Sequence, residues 1–174
     1  MRTIIAAITL MLLGFGAGAA AQLSPHDHTM ATIGTAELSI TYGRPSMRGR
    51  KIVGALVPYN HWWCPGADEA TELHTSRGLR FADKVIPAGG YTLYILPTAG
   101  DWTLMINKET GLFHTQYHPA SDIAHLKMIK REVTPAVEEL TFAIEPNAAN
   151  AGGAIVMTWE NTSVSVPFTI ESRD

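Results

Sequence analysis

Apolar and polar residues alternate with a period of two along most of this chain, and turn residues interrupt the alternation at short intervals. Leu38, Ile40 and Tyr42, for example, share one side of a segment whose other side is polar. Successive side chains of a β-strand point to opposite faces, so the pattern predicts strands with one buried face. Short strands with turns between them are typical of sandwiches and barrels. The sequence therefore predicts an all-β, single-domain antiparallel β-sandwich, with a partly open β-barrel as the alternative.

Individual strands follow from the same alternation. They are predicted at residues 30–33, 37–42, 79–81, 85–86, 91–96, 102–106, 139–144, 155–159 and 164–170. Residues 161–163 are expected to form a turn, and Pro167 predicts a sheet edge for the last strand because proline cannot donate a ladder hydrogen bond. The best candidates for a short helix are residues 47–56 and 121–127, and residues 23–29 are expected to form a loop.

The first 21 residues have the pattern of a secretory signal peptide. Arg2 precedes an apolar run over residues 4–15, and Ala19, Ala20 and Ala21 end the segment. The run is shorter than the roughly 20 apolar residues that a membrane-spanning helix needs, and a cleavable signal fits it better. We therefore expect a signal peptide at 1–21 and one domain at 22–174, without a membrane span after cleavage. The expected location is periplasmic or secreted.

Charge and cysteine content exclude several classes of protein. The chain has 13 Lys and Arg against 16 Asp and Glu, a formal net charge of −3. A protein with this balance lacks the basic field that nucleic-acid binding requires. Cys64 is the one cysteine, so no intrachain disulfide can form and a hydrophobic core must stabilise the domain.

The long irregular stretch at 43–71 concentrates arginine, carboxylate and aromatic residues, and a loop of this length is often functional. Guanidinium groups suit carboxylate or phosphate ligands, but carboxylates of the same loop could also neutralise them in a structural ion-pair network. The leading hypothesis is a non-catalytic protein that binds a small molecule, a glycan or an envelope protein, with no cofactor. The predicted ligand-binding residues are Tyr42, Arg44, Arg50, Trp63, Asp68, Glu69 and Thr71.

Seven histidines raise the alternative of a metal-assisted hydrolase or oxidase. A zinc or copper site needs at least three convergent ligands, and no HExxH or CxxC motif is present. The histidines available for such a site are His61, His74, His114, His118 and His125. No metal is predicted, and His114 and His118 are the pair to examine first. A purely structural envelope component is the third possibility.

Short motifs distributed along the chain resemble DUF2911, a bacterial family of unknown function. They lie at residues 42–46, 49–52, 56–59, 63, 66–71, 87–93, 102–104, 107–108 and 159–160. The resemblance implies an exported, β-rich bacterial domain without an assigned activity. The chain departs from the family pattern at Cys64-Pro65, where an arginine and a small polar residue are usual, and at Asp68, where asparagine is usual. Cys64 is therefore not expected to be a nucleophile of the family.

Overall fold

A computed structural model describes residues 24–172, so the predicted signal peptide at 1–21 lies outside the described residues. Nine strands account for most of this range. They are β1 (His26–Ile33), β2 (Ala36–Gly43), β3 (Glu72–Thr75), β4 (Leu79–Phe81), β5 (Lys84–Ile86), β6 (Gly89–Pro97), β7 (Trp102–Asn107), β8 (Asp122–Pro146) and β9 (Gly152–Ile170). A short 3₁₀ turn at Pro119–Ser121 precedes β8. Within residues 24–172, no helix is long and apolar enough to cross a membrane.

All nine strands pair antiparallel in one sheet of order β1-β2-β3-β6-β7-β8-β9-β4-β5. Strand β8 connects the two halves of the sheet. The first part of β8 pairs with β7, and the part from Ile129 onward pairs with β9. Side chains from both halves, such as Leu93 and Phe142, share one buried core. The sheet is not closed into a barrel. The predicted all-β antiparallel fold is confirmed.

Both helical expectations are wrong. Residues 121–127 include the start of β8, and there Ala124, Leu126 and Met128 are buried while the residues between them are more exposed. This is the period of a strand, and pairing with β7 satisfies the backbone. Residues 47–56 form successive turns instead of a helix.

The C-terminal strand also differs from the expectation. β9 continues through 161–163, and the predicted turn there is wrong because Thr162 pairs with Glu132 in the β8 ladder. β9 lies between β8 and β4, so it is not an edge strand. Pro167 is tolerated because it lies beyond the last pair with β8, at Ser165, and before the first with β4, at Thr169. The predicted loop at 23–29 is wrong from His26 onward, where β1 begins.

Candidate functional site

The loop between β2 and β3 is held against the sheet by main-chain hydrogen bonds at two places. On one side, Pro45 O accepts from Leu140 N–H at 3.0 Å and Met47 N–H donates to Glu138 O at 2.8 Å, which attaches the loop to β8. On the other side, Trp63 and Ile95 of β6 exchange two hydrogen bonds of 2.8 Å. The loop is therefore an ordered part of the fold that connects two distant strands.

A cleft of about 470 Å³ opens between these two attachments. Its volume falls within the roughly 300–1,000 Å³ of typical small-molecule sites. The lining residues are Ser24, Pro45, Ser46, Arg48, Arg50, Leu56, Val57, Trp63, Gly66, Ala67, His114 and Trp159. The lining thus combines two guanidinium groups and one imidazole with aromatic and aliphatic surface, and it includes no carboxylate.

A tight turn at residues 47–50 carries both arginines of the cleft. Met47 O accepts from Arg50 N–H at 3.0 Å, and Arg48 and Gly49 have φ of 50° and 71°. Two successive positive φ values define a type I′ turn. The Arg50 guanidinium folds back over this turn, where Nε donates to Met47 O at 2.9 Å and Nη2 donates to Ser46 O at 2.8 Å. These bonds hold the guanidinium in place and leave Nη1 available to a ligand.

Arg48 has a positive φ, a backbone conformation that is unfavourable for residues other than glycine or asparagine. Its main-chain N–H donates to Glu138 Oε1 at 2.8 Å, which stabilises the turn from the β8 side. Its guanidinium makes no ion pair or hydrogen bond with the described residues and is exposed at the cleft. Strained residues of this kind are concentrated at functional sites.

The carboxylates nearest in sequence to the lining residues are already occupied by main-chain donors. Asp68 Oδ2 accepts from Ser24 N–H at 3.0 Å, and Glu160 Oε2 accepts from Val53 N–H at 2.9 Å. Together with the bond from Arg48 N–H to Glu138, these contacts direct carboxylate oxygens to the backbone. The cleft thus presents positive charge from arginine side chains that no lining acid neutralises.

Aromatic and aliphatic side chains form the apolar wall. Trp63 stacks on Trp159 with ring centroids 6.0 Å apart and 18° between the planes. Trp159 is buried and its Nε1 donates to Glu138 O at 3.2 Å, so it holds the half-buried Trp63 in position. Of the two aliphatic residues in the lining, Val57 is buried and Leu56 is exposed. The surface beside the guanidinium groups is therefore rigid and apolar.

Arg44, one of the predicted ligand residues, is instead occupied by protein groups. Its Nη1 lies 3.2 Å from Asp27 Oδ2 and its Nε lies 3.4 Å from Glu139 Oε2. Nη2 also donates to Thr141 Oγ1 at 3.2 Å. The buried hydroxyl of Tyr42 donates to the same Asp27 carboxylate, and desolvation raises the pKa of Tyr42. Arg44 therefore belongs to an ion-pair network, but its carboxylates come from β1 and β8 and not from the loop itself, where the sequence analysis had looked for them.

The three remaining predicted residues contact other parts of the loop, β1 or the connection between β7 and β8. Asp68 O accepts from both the main chain and the ring of His114. Glu69 is exposed and pairs with His26 of β1, and its own main-chain N–H, followed by His26, lowers the pKa of its carboxyl. Thr71 is buried, and its hydroxyl donates to Pro65 O at 2.6 Å.

Of the seven predicted residues, Arg50 and Trp63 line the cleft, whereas the other five do not. Sequence reasoning omitted Arg48, His114 and Trp159 from the ligand site. The Arg48-Gly49 pair could have indicated the 47–50 turn from the sequence. Glycine favours a tight turn, and such a turn would expose the side chain of the neighbouring Arg48. His114 and Trp159 come from other segments, and only tertiary packing brings them to the loop.

The histidines do not converge as a metal centre. Residues 24–172 contain no group of three or more His, Cys, Asp and Glu side chains that could hold a metal ion. His118 pairs with Glu109 and His125 pairs with Asp122, in separate contacts. Cys64 is buried, and desolvation raises the pKa of its thiol to about 12, so the thiol is protonated at neutral pH.

A larger, shallower depression of about 750 Å³ lies beside β8, where its lining includes Lys127, Lys130 and Arg131. Lys127 there is 2.8 Å from Asp101, and Lys130 lies over the ring of Trp102. Two of its three basic groups therefore already have protein partners. The smaller cleft is the better candidate for recognition of a ligand.

Comparison with known proteins identifies a family. Residues 24–168 match the family described as "Protein of unknown function (DUF2911)". No curated protein and no solved structure matches the chain. Because the match extends over most of the chain, the protein belongs to the DUF2911 family, as the sequence motifs indicated.

Proposed function

Since membership of DUF2911 assigns no activity, we propose from the geometry that this protein is an exported binding protein for a small anion that has an apolar face. The single observation that carries the proposal is the composition of the cleft: Arg48, Arg50 and His114 lie beside the Trp63 wall, and no lining residue is acidic. Small-molecule sites typically combine an apolar concavity with a few placed polar groups. The signal-peptide pattern at 1–21 supports a periplasmic or secreted location.

The anion binds to the guanidinium groups. A guanidinium offers five N–H donors in a planar arrangement, and Arg50 uses two of its groups, Nε and Nη2, to hold itself against the 47–50 turn. A side chain fixed before binding loses less conformational entropy when the ligand arrives. Arg48 adds a second positive charge from the same turn, and the ring of Trp63 covers the apolar face of the ligand.

Isothermal titration of the mature chain with cyclohexanecarboxylate tests the proposal, because this probe combines one carboxylate with an apolar ring. We expect saturable 1:1 binding that Arg50→Ala weakens at least about tenfold, the usual value of a hydrogen bond to a charged group. Arg48→Ala should weaken binding in the same direction. The neutral analogue cyclohexylmethanol should bind much more weakly.

Arg131→Ala is the matched control, because Arg131 is an exposed arginine outside the cleft. It should leave the affinity unchanged within about twofold and so exclude a general effect of net charge. The proposal is overturned if the probe does not bind, or if Arg131→Ala and Arg50→Ala weaken binding equally.

A further inference from the structure

The imidazole of His114 has a defined tautomer. Its Nδ1 lies 2.7 Å from Asp68 O, and the main-chain N–H of His114 donates to the same carbonyl at 3.0 Å. A carbonyl oxygen only accepts hydrogen bonds, so Nδ1 must carry the proton. In the neutral ring, Nε2 then has a lone pair and acts as an acceptor. The two bonds to Asp68 fix the ring as part of the cleft wall.

This Nε2 is available to a ligand. No hydrogen bond to it comes from any residue in the range 24–172, and the half-buried ring lines the same cleft as the guanidinium groups. The side chains of Arg48 and Arg50 can only donate, so the imidazole adds a fixed acceptor beside them, whereas the lining hydroxyls of Ser24 and Ser46 can rotate and either donate or accept. A ligand that fits all three features carries an acid group, a hydroxyl donor and an apolar face.

We propose, on the basis of the proposed function, that the natural ligand is a sugar acid of the uronic acid class, whose hydroxyl donates to His114 Nε2. Its carboxylate binds at the 47–50 turn, and the C–H face of its ring lies against Trp63. The rigid indole of Trp63, held by Trp159, provides a flat surface of the size of one sugar ring. His114 is thus a specificity-determining residue that distinguishes a hydroxylated acid from a bare one.

Two probes with the same ring size and charge test the inference, because D-glucuronate has ring hydroxyls and cyclohexanecarboxylate has none. His114→Asn retains an amide N–H near the position of Nδ1, able to donate to Asp68 O, but has no atom at the position of Nε2. We expect this variant to weaken glucuronate binding about threefold to tenfold, the value of one neutral hydrogen bond. Its affinity for cyclohexanecarboxylate should stay within about twofold of the wild type.

His114→Gln is the complementary variant, since its amide oxygen reaches the position of Nε2 and can accept the ligand hydroxyl. We expect His114→Gln to restore the preference for glucuronate over cyclohexanecarboxylate that His114→Asn loses. The use of two variants also keeps the test decisive if one of them folds poorly. The inference is overturned if glucuronate does not bind while cyclohexanecarboxylate does, or if His114→Asn weakens both probes equally. If cyclohexanecarboxylate does not bind in a manner that depends on Arg50, the proposed function itself fails.

Discussion

Arg44 and Arg50 belong to the same loop, yet their surroundings give them different tasks. Arg44 touches Asp27 and Glu139, from β1 and β8, and its Nε also donates to Leu140 O at 3.3 Å. Among the described residues, the Arg50 guanidinium donates only to the carbonyl oxygens of Met47 in its own turn and of the preceding Ser46. The first arginine connects strands that are distant in the sequence, whereas the second keeps donors for a ligand. Two arginines of the same loop therefore differ in role because their burial and their hydrogen-bond partners differ.

We predict that Arg44→Ala destabilises the fold without removing the cleft. The change removes the cation that both the Asp27 and the Glu139 carboxylates contact and deletes several hydrogen bonds, which should lower the free energy of unfolding by about 1–3 kcal/mol. Urea denaturation monitored by tryptophan fluorescence measures this loss. The variant should still bind cyclohexanecarboxylate below its unfolding midpoint.

Arg80→Ala provides the comparison for Arg44→Ala. Arg80 pairs with Glu171 at 2.6 Å, but its side chain is 48% exposed. An exposed ion pair contributes about 0–1 kcal/mol, so this variant should be nearly as stable as the wild type. An equal loss of stability in both variants would contradict the role given to Arg44.

At the scale of elements, the end of β2 and the 64–68 segment of the loop approach each other too closely for a side chain at Gly43. A Cβ added at this position would lie 2.0 Å from Ala67 O and 2.8 Å from Ala67 C, both main-chain atoms. Main-chain atoms cannot rotate away as a flexible side chain can. The contact therefore fixes the segment that carries Gly66 and Ala67 on the cleft wall.

Gly43→Ala should consequently shift this segment and lower the free energy of unfolding by roughly 1–3 kcal/mol, as overpacking usually does. Because the shifted segment lines the cleft, the affinity for cyclohexanecarboxylate should fall as well. Gly100→Ala is the control, since a Cβ there meets nothing within 4 Å. Thermal unfolding followed by circular dichroism measures both variants, and equal melting temperatures would contradict the packing argument.

The elements that could be predicted from the sequence are those with a local signal. β6 alternates two largely apolar faces between turn residues, and the structure buries both faces from Tyr91 to Ile95. The full length of β8 was not predicted, because residues 129–132 are exposed on both faces and interrupt the alternation of apolar and polar residues. Continued pairing with β9 holds those residues in the strand, and a pairing partner is not visible in a local pattern.

The candidate site shows the same limit at the scale of the whole molecule. The position of the irregular loop was predicted, because long polar segments between strands are visible in the sequence. Its partners were not, because Trp159 lies on β9 and His114 on the connection between β7 and β8. Asp27 and Glu139 neutralise Arg44 only because β1 and β8 pack near the loop, so the choice between ion pair and ligand site required the tertiary fold.

A second cluster of buried side chains lies on the face of β6 and β7 opposite the main core. It is formed by Cys64, Ala70, Tyr94 and Met105, with Tyr117 packed against it. The rings of Tyr94 and Tyr117 are 4.5 Å apart, and Tyr117 donates to Asp122. Desolvation raises the pKa of Cys64 from 9.0 to about 12, and it also raises the pKa of both tyrosines above 10.0. The folded protein therefore retains these protons at pH values where an unfolded chain loses them.

Stability should therefore fall as the pH rises above about 9, because the unfolded state then binds fewer protons than the folded state. Below pH 9 both states are protonated at these groups, so their contribution to stability is complete there. Urea denaturation between pH 7.5 and 10.5 should show the midpoint decreasing over the upper half of this range. Cys64→Ala removes one of the titrating groups and should make the decrease shallower than in the wild type. A midpoint that stays constant to pH 10.5, or a slope that Cys64→Ala leaves unchanged, would contradict the burial of these groups in one cooperative fold.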